Sequence, residues 1–125
     1  MTFKKVFVID DEKFDRLLYK RLIDKSGLVG TLELFANAED ALAALRSGEE
    51  RPELIFLDIN MPRMNGFEFL EAVDGELSDG VPETRVAMLT TSSDPRDEER
   101  SQTFQSVKYF LRKPLKRETL IEMAG

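Results

Sequence analysis

The sequence predicts an α/β protein in which five β–α units, (βα)5, form a doubly wound, parallel five-stranded sheet with helices on both faces. Two observations lead to this prediction. Unbroken apolar runs recur along the chain, as is typical of strands buried on both faces, and apolar residues at helical spacing follow them. Polar residues come directly after four of these runs, where the carboxyl ends of parallel strands would meet.

The stretch Glu53–Gly66 is central to the prediction, and its sequence is E-L-I-F-L-D-I-N-M-P-R-M-N-G. Leu54–Leu57 are apolar without alternation and end in Asp58, which indicates a central strand that finishes in a carboxylate. Pro62 cannot continue such a strand, and Asn65-Gly66 favours a turn. We therefore expect Asp58 at the mouth of a loop, at the edge where open α/β sheets bind ligands.

Apolar runs predict the other four strands, at Val6–Ile9, Thr31–Phe35, Arg85–Thr91 and Val107–Leu111. The Thr31–Phe35 run is the least continuous of these, which favours a place near the edge of the sheet. Proline at position 114 lacks a backbone N–H, so Lys113-Pro114 should end the last strand.

The first two helices are predicted from apolar spacing and end signals. Phe14, Leu17, Leu18 and Leu22 recur at helical spacing, and we interpret them as core residues of a helix that stops at Gly27. The second helix should begin after a capping asparagine at position 37 and end at glycine 48.

Three more helices follow. A short third helix is predicted over Phe67–Val73, because Asp74–Pro82 contains two glycines and a proline and is interpreted as a loop. Asp94-Pro95 is a strong start for the fourth helix, which has little apolar surface before Phe104 and should be the most weakly held. The fifth helix is indicated by apolar residues within 115–123.

Length and composition narrow the class of protein. The 125 residues predict one domain over 1–125, and an apolar share of 42% is enough for a core. The net charge of −6 argues against direct binding to nucleic acid or insertion into an anionic membrane. With no cysteine and no histidine, the chain has no disulfide, thiolate metal site or Ser-His catalysis. Because no apolar run is long enough for a signal peptide or membrane span, we predict a cytoplasmic location.

Polar residues follow four of the predicted strands. Asp10-Asp11 follow the first strand, Asp58 the third, Thr90-Thr91 the fourth and Lys113 the fifth. The carboxyl ends of parallel strands lie at one edge, so these groups should converge. Close carboxylates repel one another, and Mg²⁺, which prefers oxygen ligands, would relieve that repulsion. A carboxylate can then attack a phosphoryl group, which predicts a self-phosphorylating aspartate.

Other phosphate-binding or metal-binding motifs fit less well. Asp58-Ile59-Asn60 opens like an EF-hand loop, but proline stands at the fifth position and the sixth is not glycine. The sequence has neither a P-loop nor a G-x-G-x-x-G motif. Phosphohydrolases of the haloacid dehalogenase type need a D-x-D spacing, whereas Asp10 and Asp11 are adjacent.

Nearly the whole chain resembles the response regulator receiver domain, the CheY-like module of two-component signalling. The resemblance lies in four motifs, V-F-V-I-D-D, L-I-F-L-D-I-N-M-P-R-M-N-G, M-L-T-T-S and Y-F-L-R-K-P-L, which occur in order and with the usual spacing. It implies the flavodoxin-like strand order 2-1-3-4-5.

The resemblance also implies a site with Mg²⁺ as cofactor. Asp58 would be the phosphoacceptor and, with Asp11, a direct ligand of the metal. The backbone carbonyl of Asn60 would be a third ligand, and Asp10 would act on the metal through water.

Further roles are implied around the phosphoryl group. Lys113 would bind it, and the Lys113-Pro114 peptide bond would be cis. Thr90 would be the switch hydroxyl, and Phe110 stands where the family has a switch aromatic that turns inward when Thr90 moves. The phosphoryl donor would be a phosphohistidine on a sensor histidine kinase or histidine phosphotransfer protein.

The sequence departs from the usual receiver pattern in three places. Gln105-Ser106-Val107 replaces an Ala-Gly-Ala-type turn, which leaves the end of the fourth helix open. Phe110 has no hydroxyl, so a tyrosine form of the switch would need Tyr109. Ser92 and Asn60 stand at positions that tune hydrolysis in the family, and the phosphate lifetime does not follow from them.

We therefore predict a signalling switch that catalyses its own phosphorylation and dephosphorylation, rather than an enzyme acting on a separate substrate. No DNA-binding segment follows the fifth helix in this sequence, so output to a downstream protein by protein–protein contact is expected. Two alternatives remain open: a receiver-shaped binding module that is never phosphorylated, and an aspartate-dependent phosphohydrolase.

Overall fold

The structure is a computed structural model and describes residues 3–47, 50–80 and 83–125. The five strands are β1 Phe3–Ile9, β2 Val29–Phe35, β3 Leu54–Asp58, β4 Arg85–Thr90 and β5 Val107–Arg112. The five helices are α1 Lys13–Ser26, α2 Ala38–Leu45, α3 Gly66–Asp79, α4 Pro95–Ser101 and α5 Arg117–Ala124. All the strand pairs are parallel and the order is β2-β1-β3-β4-β5, which confirms the predicted doubly wound fold.

The sheet has a hydrophobic core on each face. Phe7, Ile55 and Met88 point to the face covered by α2 and α3, while Val8 and Phe56 point to the face covered by α1 and α5. Neighbouring residues of a strand point to opposite faces, so a strand covered on both sides must be apolar at every position. This explains the unbroken apolar runs, and all five residues of β3 are buried.

Several predicted boundaries are confirmed. β2 is an edge strand, as expected, although it begins at Val29 rather than Thr31. Gly27 ends α1 with φ of 67°, in the left-handed region that favours glycine. Asn37 caps α2 by accepting a 2.8 Å hydrogen bond from the Asp40 N–H, whereas the predicted stop at Gly48 lies outside the described residues.

The prediction of a short third helix is wrong. α3 has 14 residues, and its buried side chains continue at helical spacing through the segment interpreted as a loop, at Phe67, Leu70, Val73 and Leu77. Asn65 caps this helix in a reciprocal capping box with Glu68, so Asn65-Gly66 begins a helix instead of forming a turn. The end of the predicted loop, residues 81–82, lies outside the described residues.

Asp74 of α3 fixes the turn before β5 that the sequence left open. Its carboxylate accepts hydrogen bonds from the Gln105 N–H at 3.1 Å and from the Ser106 N–H at 2.8 Å. The buried Ser106 hydroxyl also donates to Asp74, at 2.5 Å. A carboxylate on α3 therefore provides hydrogen-bond acceptors for the backbone N–H groups of the turn that leads into β5.

The interpretation of the α1 stripe as core is wrong for Phe14, Leu17 and Leu18, whereas Leu22 is half-buried and packs against the core. Phe14, Leu17 and Leu18 are 78%, 42% and 53% exposed, and the helix buries Tyr19 and Ile23 instead. The buried face of α1 differs from the predicted one because the first turn of the helix carries polar residues that reach the edge of the sheet, as described below. None of the helices that the structure describes is long and apolar enough to cross a membrane.

Candidate functional site

The parallel register brings the predicted polar residues to one edge of the sheet. Ile9 pairs with Leu57, so Asp10, directly after β1, lies level with Asp58, the last residue of β3. β4 ends beside them at Thr90, and Lys113 comes one residue after the end of β5.

Three carboxylates form a cluster at this edge. Oxygen atoms of Asp10, Asp11 and Asp58 all lie within 4.8 Å of one another. Asp10 is 1% exposed and Asp58 is 6% exposed, whereas Asp11 is half-buried. Asn60, the predicted carbonyl ligand, is an exposed residue in the loop two positions after Asp58. The cluster offers only hard oxygen donors and a concentration of negative charge.

Lys113 supplies the positive charge of the cluster. Its Nζ donates hydrogen bonds to Asp10 Oδ2 at 2.8 Å and to Asp15 Oδ2 at 2.9 Å, and it lies 3.5 Å from Asp58 Oδ1. The side chain is only 10% exposed. The peptide bond between Lys113 and Pro114 is cis, as the resemblance implied. Three carboxylates, those of Asp10, Asp15 and Asp58, therefore lie within 3.5 Å of the Lys113 ammonium group, and Asp11 lies beside two of them.

This charge balance shifts the proton affinities. Burial raises the pKa of Asp58 to about 6, the repulsion of Asp10 adds to that rise, and Lys113 partly offsets it. Burial alone would lower the pKa of Lys113, but its hydrogen bonds to Asp10 and Asp15 outweigh burial and the pKa is raised. At neutral pH Lys113 is therefore a cation, and Asp58 is an ionised carboxylate held in an unfavourable environment.

Helix α1 contributes residues to this site that the sequence did not reveal. The Arg16 guanidinium donates a 2.7 Å hydrogen bond to the Asp10 carbonyl, and the buried Tyr19 hydroxyl lies 3.4 Å from Asp10 Oδ2. Burial raises the pKa of Tyr19 more than Lys113 lowers it, so the phenol remains a donor. Asp11, Asp15 and Tyr19 are four residues apart, which is about one helical turn, and this spacing was the signal available in the sequence.

Gly66 allows α3 to approach the site closely. Its N–H donates a 2.8 Å hydrogen bond to the Ile59 carbonyl. A Cβ at this position would lie 2.5 Å from the Asp58 carbonyl oxygen and 3.1 Å from the Ile59 Cα. The absence of a side chain therefore lets the start of α3 support the backbone that carries Asp58.

On the other side of the site, Thr90 is linked to α4. The buried Thr90 hydroxyl accepts a 2.9 Å hydrogen bond from the Ser92 N–H. The Ser92 hydroxyl donates to Asp97 Oδ2 of α4 at 2.6 Å, and its carbonyl accepts from Arg112 at 3.1 Å. The loop between β4 and α4 therefore connects the predicted switch hydroxyl to the helix that the sequence predicts to be weakly held.

The aromatic residues of β5 point to opposite faces of the sheet. Phe110 is half-buried against the core that includes α2 and α3, whereas Tyr109 packs against the core that includes α1 and α5. The Tyr109 hydroxyl accepts a 3.0 Å hydrogen bond from Arg85, at the start of β4. Tyr109 therefore does not stand in for a tyrosine at position 110.

With this geometry established, comparison with known proteins identifies the family. A model of the response regulator receiver domain matches residues 6–125. The chain therefore belongs to the response regulator receiver domain family, whose members are the CheY-like receivers of two-component systems.

Individual relatives agree with this family. A protein-glutamate methylesterase/protein-glutamine glutaminase of Burkholderia thailandensis is 43% identical over 72 residues, which span 58% of this chain but 19% of that protein. A two-component response regulator of Cytophaga hutchinsonii has a TM-score of 0.88 at 25% identity, with 98% of this chain and 95% of that chain covered. A response regulator receiver protein of Dyadobacter fermentans has a TM-score of 0.83 at 32% identity, with coverages of 96% and 94%.

Proposed function

We propose that this receiver accepts a phosphoryl group on Asp58 and thereby switches its protein–protein contacts. The observation that supports this most strongly is the environment of Asp58. It is a buried carboxylate at the end of a central strand, clustered with Asp10 and Asp11 and 3.5 Å from the Lys113 ammonium. This arrangement joins a nucleophile to the charges that phosphoryl transfer requires.

The residues fit Mg²⁺ as a cofactor. Three carboxylates whose oxygens lie within 4.8 Å provide hard donors, and no cysteine or histidine is present to favour a softer metal. Asp11, Asp58 and the Asn60 carbonyl would hold the ion directly, and Asp10 would act through water. A bound Mg²⁺ would neutralise charge on the carboxylates and on the phosphoryl oxygens.

The chain's own residues would divide the chemistry between them. A carboxylate oxygen of Asp58 forms a bond to phosphorus while the phosphorus–nitrogen bond of the donor phosphohistidine breaks, and the electron pair returns to the imidazole. Lys113 pairs with a phosphoryl oxygen, and the Thr90 hydroxyl donates to another. Attack of water on the acyl phosphate releases inorganic phosphate and restores Asp58, so the protein catalyses both directions of its own switch.

The structural change that follows phosphorylation would occur on the side of the molecule where Thr90 is linked to α4. Movement of Thr90 toward the phosphoryl group would pull on Ser92, which holds Asp97 of α4, and would let Phe110 turn inward. We propose α4, β5 and α5 as the face that a downstream protein reads. A sensor histidine kinase or histidine phosphotransfer protein would be the donor, in the cytoplasm.

The proposal is tested by the intact mass of the protein after incubation with acetyl phosphate. Parallel samples contain Mg²⁺, a chelator, or Mg²⁺ with the Asp58→Asn variant. A single phosphoryl adduct that requires both Mg²⁺ and Asp58 is expected. No adduct under any condition would favour a receiver-shaped binding module, and repeated turnover of an aryl phosphate would favour a phosphohydrolase.

A further inference from the structure

Asp15 is a carboxylate at the site that has no part in the proposed metal binding or phosphoryl transfer. It lies in the first turn of α1, and its Oδ2 accepts a 2.9 Å hydrogen bond from Lys113. Its side chain is 30% exposed, whereas the Lys113 side chain is 10% exposed. Asp15 therefore contacts Lys113 at the solvent-exposed boundary of the site.

Lys113 makes hydrogen bonds to two of its three neighbouring carboxylates. An ammonium group has three N–H donors, and two of those of Lys113 go to Asp10 at 2.8 Å and Asp15 at 2.9 Å. Asp58 Oδ1 lies 3.5 Å away, which is longer than an ordinary N–H···O hydrogen bond. The third N–H donor makes no contact of hydrogen-bond length with Asp58, so Nζ would have to move to bind a phosphoryl group there closely, and such a movement would lengthen its contact with Asp10 or Asp15.

Asp15 is the partner that can release the lysine at the lower cost. Asp10 is 1% exposed, so water cannot replace Lys113 there, and a buried charge that loses its partner is strongly destabilising. Water can reach Asp15, so this carboxylate can be solvated when the lysine moves.

We propose that Asp15 is a positioning residue that restrains Lys113 in the unphosphorylated protein, and that phosphorylation of Asp58 breaks the Asp15–Lys113 pair. The inference rests on the proposed function of Asp58. If movement of the lysine toward the phosphoryl oxygens weakens its contact with Asp15, the carboxylate opposes phosphorylation. This role is specific to position 15 of this chain and depends on its contact with Lys113.

The test compares initial rates of phosphorylation by acetyl phosphate with saturating Mg²⁺, followed by intact mass. Asp15→Asn keeps the size of the side chain and removes its charge, and the rate should rise about three- to fivefold, the effect of a partly exposed ion pair. Asp15→Glu, which keeps the charge, should return the rate toward that of the parent protein.

Asp24→Asn is the matched control. Asp24 lies on the same helix and pairs with Lys20 at 2.6 Å, about 14 Å farther along α1. It makes the same change in net charge and should leave the rate unchanged.

A second phosphoryl donor distinguishes two explanations of a faster rate in Asp15→Asn, namely release of Lys113 and loss of direct repulsion between Asp15 and the phosphoryl donor. Phosphoramidate carries less negative charge than acetyl phosphate, so direct repulsion by Asp15 would make the gain from Asp15→Asn smaller with phosphoramidate. Restraint of Lys113 predicts the same gain with both donors. An unchanged or slower rate, or a gain with acetyl phosphate alone, would overturn the inference while leaving Asp58 as the acceptor. A parent protein that takes no phosphoryl group from either donor would instead reject the proposed function itself.

Discussion

The two sides of the candidate site are held in different ways. On one side, which we call the acidic side, Asp10, Asp15, Asp58 and Lys113 are joined by short polar contacts, and α1 has 14 residues. On the other, which we call the hydroxyl side, Thr90 connects through Ser92 to α4, a helix of seven residues in which only Ser101 is buried.

In the proposed function, the acidic side would carry out the phosphoryl transfer and the hydroxyl side would change its structure in response. On the acidic side, Asp10, Asp15 and Asp58 share the Lys113 ammonium group, so removing that cation is costly. On the hydroxyl side, few apolar contacts hold α4, and local opening of a helix of this kind needs little free energy. A change of charge at Asp58 would therefore move α4 more readily than α1.

The largest effect should come from removing the ammonium of the acidic side. Lys113→Ala leaves Asp10, Asp15 and Asp58 without their cation, and we expect the metal-free protein to lose about 3 kcal/mol of unfolding free energy at pH 7. Urea unfolding measures this. The control is Lys108→Ala, also on the β5 segment, whose pair with Glu83 is exposed and should contribute no more than about 1 kcal/mol. Equal losses of unfolding free energy in the two variants would mean that Lys113 stabilises its carboxylates no more than an exposed ion pair does.

Asp58→Asn should stabilise the metal-free protein, in contrast to Lys113→Ala, which removes the cation of the same cluster. The pKa of Asp58 in the folded protein, about 6, exceeds its ordinary value of 3.8, so the folded state binds the proton more tightly than the unfolded state. The stabilisation of the folded state by this tighter proton binding is fully present below about pH 4 and is lost as the pH rises through 6. The loss lowers the unfolding free energy by an amount on the order of 3 kcal/mol.

The variant avoids that loss, so its advantage should be absent near pH 4, grow between pH 4 and pH 6, and be complete above pH 6. Thermal unfolding from pH 4 to pH 8, with chelator, measures the difference. Saturating Mg²⁺ should remove much of it, because a cation relieves the same repulsion. An advantage that does not change with pH would contradict the raised pKa of Asp58.

Gly66→Ala should disturb the backbone of Asp58 from α3. The added Cβ would lie 2.5 Å from the Asp58 carbonyl oxygen, and we expect a loss of about 1–3 kcal/mol together with slower phosphorylation. Gly75→Ala on the same helix meets nothing within 4 Å and should stabilise the protein by about 0.5–1 kcal/mol. Opposite signs in unfolding free energy are therefore expected, and a neutral Gly66→Ala would show that the close contact is readily relaxed.

The smallest effect is expected on the hydroxyl side. Ser92→Ala removes the 2.6 Å hydrogen bond to Asp97 and should lower the unfolding free energy by about 1 kcal/mol or less. Faster hydrogen exchange should be confined to α4 and the loop before it. A loss as large as that of Lys113→Ala would show that the two sides are held equally firmly.

Strands and strand ends were predictable from the sequence, whereas the faces and lengths of helices were less so. Asp10, Asp58, Thr90 and Lys113 could be placed together because parallel strands fix where their ends lie. The buried face of α1 could not be read from apolar spacing, because Asp15 and its neighbours face a polar site at the point where the pattern calls for apolar residues.

The length of α3 was missed for a different reason. Gly75 weakens a helix locally, but the buried Val73 and Leu77 on either side of it continue the apolar face, and tertiary packing overrides propensity. Asp74, assigned to the loop, belongs to that helix and binds the turn before β5. The helical spacing of Val73 and Leu77 was a local signal for the length of α3, whereas the contact of Asp74 with the turn before β5 joins distant segments and is not visible in local sequence.

The most direct test of the difference between the two sides is hydrogen–deuterium exchange with and without phosphorylation of Asp58. Two peptides are compared, one covering 13–26 in α1 and one covering 91–106 around α4. We expect the α4 peptide to exchange faster in the unmodified protein and to change its exchange on phosphorylation, with little change in α1 beyond its first turn, which contains Asp15. A response concentrated in α1, with α4 unaffected, would contradict the assignment of chemistry to one side and response to the other.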